Sequence, residues 1–151
     1  MTYFRPEIEA MDGYTPGEQP QAGKFIKLNT NENPYPPSPK VIAAVREAAT
    51  DALRLYPDPN WTALRQKLGE VYGFDADEIL VANGSDETLA MCTRAFVSEG
   101  QRIGCFWPSY SLYPVLADIQ GAQKVEFALN DDFQIEAHAS LLHQLQDVRL
   151  L

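Results

Sequence analysis

The sequence predicts an α/β fold built on a mostly parallel sheet, and three observations carry that expectation. From residue 79 onward, short runs rich in apolar residues alternate with stretches of helical period, the pattern of strands joined by helical crossovers. The first of those runs, Ile79-Leu80-Val81-Ala82, is apolar on both faces and passes through Asn83-Gly84 into a helix opening Ser85-Asp86-Glu87. At 151 residues and 45% hydrophobic content the chain is long and apolar enough for one domain with a core.

Residues 1–37 read as an N-terminal arm, proline-rich and without a clear period, carrying a turn signal at Tyr14-Thr-Pro-Gly17. Ser38-Pro39 then opens a helix expected to run to about Leu55, with a capping hydroxyl ahead of a proline in the first turn and Val41, Val45, Ala48 and Ala52 on its apolar side. Tyr56-Pro57-Asp58-Pro59-Asn60 stops it, and Asn60 is placed to cap a second helix from Trp61 to Gly73 with Leu64, Leu68 and Val71 inward. After the glycine junction, Leu89, Cys92 and Phe96 share one helical face. Arg102–Trp107 reads as a strand, Leu112–Ile119 as a helix ending before Gly121, and Gln123–Phe127 as the next strand. Asn130-Asp-Asp132 turns the chain, residues 136–146 form a helix, and Val148–Leu151 begins another strand. That last element looks unfinished, as expected of a portion of something longer.

The junction at Gly84 is where chemistry is expected. Glycine permits the turn, Ser85 is available as a cap, and the free N–H groups of a first helical turn face outward at the carboxyl end of the preceding strand. Two readings stand on the local residues. Ser85 caps while Asp86 and Glu87 merely complement the helix dipole, or the amides receive a phosphate. The first is the commoner outcome of such junctions. The acids oppose an anion unless their carboxylates turn away.

Composition excludes several function classes. With 21 acidic against 12 basic residues the net charge is −9, and no basic cluster offers a nucleic-acid or anionic-membrane surface. No apolar run approaches bilayer length and the N-terminus lacks a signal-peptide layout, so a cytoplasmic protein is expected. Cys92 and Cys105 lack the spacing of a zinc or redox motif and read as reduced core residues. His138 and His143, five apart, do not align as ligands, so no metal and no role is assigned to them.

Four motifs in order then carry a resemblance: Leu28-Asn-Thr-Asn31-Glu-Asn-Pro-Tyr35, Leu55-Tyr56-Pro-Asp-Pro59, Asn83-Gly-Ser85-Asp86-Glu87 and Pro108-Ser-Tyr110-Ser-Leu-Tyr113. Together they resemble the first half of the histidinol-phosphate aminotransferases, pyridoxal-phosphate enzymes of the aspartate-aminotransferase fold. The resemblance implies the fold in more detail. It is a three-layer, mostly parallel sheet of a fold type I transferase large domain, here incomplete, with residues 1–37 an arm, 38–55 a helix of the small domain and 56–151 the first part of the large domain. It also reverses the balance at the junction, because Ser85, Asp86 and Glu87 match the turn that holds the cofactor phosphate. Tyr110 matches the aromatic residue stacked on the pyridine ring. Tyr56 matches a tyrosine reaching a neighbouring subunit's phosphate, the bland alternative being an aromatic that seals the Pro-Asp-Pro turn. Tyr14 and Asn31 match arm positions near the substrate.

The activity so implied is amino-group transfer between histidinol phosphate and 2-oxoglutarate, or glutamate in reverse, by a homodimer when full length. Threonine-phosphate decarboxylase is the nearest alternative within the fold. A non-catalytic phosphate-binding or interaction module is the alternative from another class, and it lacks the glycine-rich fingerprint it would need. The lysine that bonds the cofactor is expected beyond Leu151, so no catalytic residue is assigned and the chain alone is expected to be inactive. Lys24, Lys27, Lys40, Lys67 and Lys124 fall in no motif and read as surface residues.

Overall fold

The computed structural model describes residues 3–11 and 26–151. The chain divides into two compact units, one of Met1–Asp12 with Arg65–Leu151 and one of Gly13–Leu64.

The larger unit is built on a three-stranded parallel sheet of β1 (Arg102–Trp107), β2 (Gln123–Ala128) and β3 (Val148–Leu150), in the order β2-β1-β3. Each connection contains a helix, as parallel strands require. These are α5 (Leu112–Gln120) between β1 and β2, and α6 (Ala139–Leu145) between β2 and β3. α4 (Ser85–Phe96) precedes β1 and packs on α5 and β3. The central strand is the best covered. Ile103 of β1, Ala117 of α5 and Val97 just after α4 form the buried cluster, with Ala122 and Leu150 against it. Gly104 of β1 is the close-approach residue. A Cβ there would stand 2.8 Å from the Phe127 ring and 2.9 Å from Leu151, so both side chains would have to shift to admit one. A short helix, α1 (Pro6–Glu9), also packs on α5, and the Arg5 guanidinium before it donates to the Ile119 carbonyl at 2.7 Å. No helix among the described residues is long and apolar enough to cross a membrane.

Strand and helix order from residue 102 onward follows the sequence expectation, and the differences have local causes. Ile79–Ala82 is not a strand. Ile79 is extended, with φ −109° and ψ 120°, but the segment pairs with no neighbour among the described residues, and pairing is what makes a strand. The helix after Ser38, α2 (Pro39–Ala48), stops short of Leu55. Thr50 takes an extended conformation, accepts the Ala52 amide on its hydroxyl and starts a separate 3₁₀ turn, Asp51–Arg54. Asn60 does not cap the next helix. The Asp58 carboxylate does that work, accepting the Asn60 amide at 2.9 Å and the Thr62 amide at 2.7 Å. Trp61 stands outside, at φ 47°, so α3 runs Thr62–Tyr72. α6 begins at Ala139 because His138, given no role from sequence, is its cap: its Nδ1 accepts the Leu141 amide at 3.1 Å. The expected turn at 130–132 is present, with the Asn130 side chain accepting the Asp132 and Gln134 amides.

In the smaller unit, Ser38 caps α2 as expected, accepting the Lys40 amide. Val41 and Val45 on that helix stay exposed, and no described residue of 26–64 is buried.

Candidate functional site

The site builds outward from Gly84. Its backbone lies at φ 85° and ψ 176°, a combination essentially reserved for glycine, and it is the N-cap residue of α4. Ser85 is therefore not the cap but the first helical residue, because the sharp reversal occurs one position earlier than the hydroxyl. No side chain caps the helix, and no acceptor among the described residues takes the amides of Ser85, Asp86 or Glu87. All three residues are exposed. A Cβ placed on Gly84 would meet no atom within 4 Å, so the space beside that Cα is open. Three unsatisfied donors at the positive end of a twelve-residue helix make an anion-receptive surface.

The two acids of this turn are both engaged elsewhere. Glu87 reaches back so that its carboxylate accepts the Asn83 amide at 2.6 Å, outside the helix. The spacing of Glu87 three residues after the cap is the sequence signal that could have revealed this bracing. Asp86 accepts the Tyr110 hydroxyl, 3.1 Å from one carboxylate oxygen and 3.3 Å from the other. The Ser85 Oγ lies 3.5 Å from the same carboxylate. Negative charge that would oppose an anion is thus drawn off to one side, which local sequence could not show.

Tyr110 sits in the Pro108–Ser111 loop after β1, 24 residues from Asp86 in sequence. Its position at the carboxyl end of the central strand brings it to the start of α4, where ligands of open α/β sheets collect. Tyr113 meets it edge-on, with centroids 5.9 Å apart and planes at 90°, a contact not anticipated from sequence. The Tyr110 residue remains 41% exposed, which leaves ring surface for a ligand. The structure therefore brings Ser85, Asp86, Glu87 and Tyr110 together in one unit.

The remaining expected residues lie apart from that description. Tyr56, in the smaller unit, is fully exposed after the 3₁₀ turn, so it seals nothing. Asn31 is exposed and left-handed at φ 51°, next to Thr30 at φ 63°, an unusual conformation for a β-branched residue. A Lys27–Glu32 ion pair spans this turn, and the lysine beside Glu32 holds its carboxyl below the usual range. Tyr14 and Lys24 lie outside the described residues. Lys27, Lys67 and Lys124 are in ion pairs, and Lys40 is exposed.

A separate hollow of about 380 Å³ lies against the sheet, lined by residues such as Leu89, Cys92, Ile103, Cys105 and Leu116. Among the described residues no charged side chain lines it. Both cysteines are free thiols, and burial, with Glu126 as the second cause, pushes the Cys105 thiol up. Among the described residues no cluster of His, Cys, Asp or Glu could hold a metal ion.

Comparison with known proteins gives the family and the fold. The model of the family described as aminotransferase class I and II matches residues 23–147. A histidinol-phosphate aminotransferase from Geobacter sulfurreducens is 52% identical over 139 residues, covering 89% of this chain and 40% of that protein. One from Rhodopirellula baltica is 48% identical over 133 residues, covering 87% of this chain and 37% of that protein. The chain therefore spans well under half the length of these relatives. Among solved structures, histidinol-phosphate aminotransferase from Sinorhizobium meliloti, in complex with pyridoxal-5′-phosphate, superposes with a TM-score of 0.74 at 22% identity. That match covers 97% of this chain and 40% of that one, and it shows the fold. A putative aminotransferase from Burkholderia pseudomallei, 27% identical with a TM-score of 0.68, covers 82% of this chain and 37% of that one.

Proposed function

The chain belongs to the class I and II aminotransferases, and on that premise we propose that it is the phosphate-turn portion of a pyridoxal-phosphate enzyme transferring an amino group between histidinol phosphate and 2-oxoglutarate. The observation that carries this reading is the start of α4, where three amides find no acceptor among the described residues, both neighbouring carboxylates are engaged elsewhere and Tyr110 stands alongside. Those residues fit a phosphate borne on an aromatic ring. A chain with Asp86 lying over the amides would not.

In this reading the amides of Ser85, Asp86 and Glu87 bind the phosphate dianion through backbone donors, which need no reorganisation on binding. Tyr110 offers the ring an apolar face and fixes its tilt. When bound, the cofactor supplies the reactive carbonyl and the electron-withdrawing ring on which amino-group transfer depends. Tyr56, exposed and bonded to no side chain among the described residues, reaches the phosphate of a neighbouring subunit in a homodimer, and Asn31 and Tyr14 approach the substrate. Residues 38–55 then belong to the small domain and 56–151 to the large one. The group that moves the proton is none of the lysines of this chain. A cytoplasmic location accompanies the reading. The histidinol-phosphate aminotransferase relatives at about half identity support the choice of substrate.

The test is to express the polypeptide as its gene encodes it, supply pyridoxal phosphate, and follow glutamate formation from 2-oxoglutarate with histidinol phosphate as donor. Turnover that requires histidinol phosphate is expected. Carbon dioxide release from threonine phosphate instead, with no glutamate formed from histidinol phosphate, would overturn the substrate assignment. Failure to bind the cofactor would overturn the whole reading.

A further inference from the structure

We propose that the hydroxyl of Tyr110 is a positioning group that holds the Asp86 carboxylate off the amides opening α4 and so keeps that helix start receptive to a phosphate. The inference rests on the cofactor reading above, but it concerns the phenol oxygen, which stacking of the ring does not use.

A short carboxylate in a first helical turn is the natural competitor for that turn's own amides. It is drawn by the positive end of the helix, and aspartate side chains readily bond to nearby backbone N–H groups. Asp86 is the second residue of α4, so its carboxylate begins next to those donors. It is not on them. Both of its oxygens lie within 3.3 Å of the Tyr110 oxygen, whose hydroxyl has one proton to share between them. The other acid, Glu87, is held by the Asn83 amide at 2.6 Å, which leaves Asp86 as the group whose placement decides whether the turn is open. Tyr110 is itself oriented by the edge-on contact with Tyr113, so the hydroxyl approaches from a fixed direction. Loss of the hydroxyl leaves a carboxylate free to fold over the amides, and an incoming phosphate then has to displace it against like charge.

The test uses Tyr110→Phe, which keeps the ring, in the polypeptide as its gene encodes it. Two ligands are titrated, pyridoxal phosphate and pyridoxal, which share the ring and differ in the phosphate. In Tyr110→Phe the ratio of the two affinities is expected to fall about three- to tenfold, the range for a charge moved to or from a helix terminus together with a lost charge-assisted hydrogen bond. Adding Asp86→Asn to that variant removes the competing charge and is expected to restore most of the ratio. A purely structural role for Tyr110 would not be rescued in this way. An unchanged ratio in Tyr110→Phe, or a loss that persists in the double variant, would overturn the positioning role and leave the cofactor reading standing. A parent protein that binds the two ligands equally would overturn the cofactor reading, and the positioning role with it.

Discussion

Replacing Gly84 by alanine isolates the backbone geometry on which the candidate site depends. At φ 85° and ψ 176° an L-residue is strained, and the general cost of holding a side chain there is about 1–3 kcal/mol. Steric collision adds nothing, because the new methyl would meet no atom within 4 Å. The whole effect is torsional. Either the chain keeps its conformation and loses that stability, or the turn relaxes, the Asn83–Glu87 bond at 2.6 Å breaks, and the amides of Ser85–Glu87 lose their common direction. The first outcome lowers the free energy of unfolding measured in urea. The second spares some of that stability and lowers pyridoxal phosphate affinity instead, by about tenfold for each 1.4 kcal/mol. Urea titration and ligand titration on the same variant should together account for about 1–3 kcal/mol. A D-alanine installed at position 84 by protein ligation is the control, since its mirror-image preference suits a positive φ. The reasoning is refuted if L-alanine leaves both measurements within about 0.5 kcal/mol of the parent, or if D-alanine is as harmful as L-alanine.

Further expectations follow from other parts of the larger unit. Ala117 is completely buried against Val97 and Ile103, so Ala117→Leu should overpack the cluster and lower stability by about 1–3 kcal/mol in urea unfolding, whereas the same change at exposed Ala95 should be near neutral. His138→Ala should cost about 0.5–2 kcal/mol through loss of the α6 cap, and His138→Asn, a good capping residue, should recover most of it. The Cys105 thiol, raised by burial and by Glu126, should be alkylated more slowly at pH 8 than an unhindered cysteine. The same shift has a sign for stability. Above the ordinary thiol range the unfolded chain loses this proton first, so stability should decline as pH rises through that range, and Cys105→Ser should remove that component of the slope.

The order of elements from Arg102 onward was legible because the strands are short apolar or alternating segments bounded by turn residues, and the helices between them carry their own period. Gly121 ends α5 in the left-handed conformation expected of a glycine stop, and the Asn130 turn is made by its own side chain. Local chemistry also supplied Ser38 as a cap and the glycine reversal at position 84. Where local signals competed, sequence misjudged the winner. Asp58 outbid Asn60 because its carboxylate reaches two amides at once, and the Gly84 backbone took the capping position expected of the Ser85 hydroxyl. Ile79–Ala82 has the composition of a strand, but composition cannot supply a neighbour.

What the sequence determined by itself was a glycine-led helix start whose first residues, with Tyr110 further along, resemble a phosphate-holding turn. Only the tertiary structure decided that the turn is open. The net charge of Asp86 and Glu87 counts against an anion when read along the chain. The outcome depends on where those carboxylates point, which is set for Glu87 by the Asn83 amide and for Asp86 by a tyrosine 24 residues away, on the loop after β1. Hydrogen-bond partners separated so far in sequence are chosen by packing, which is why no local pattern records them.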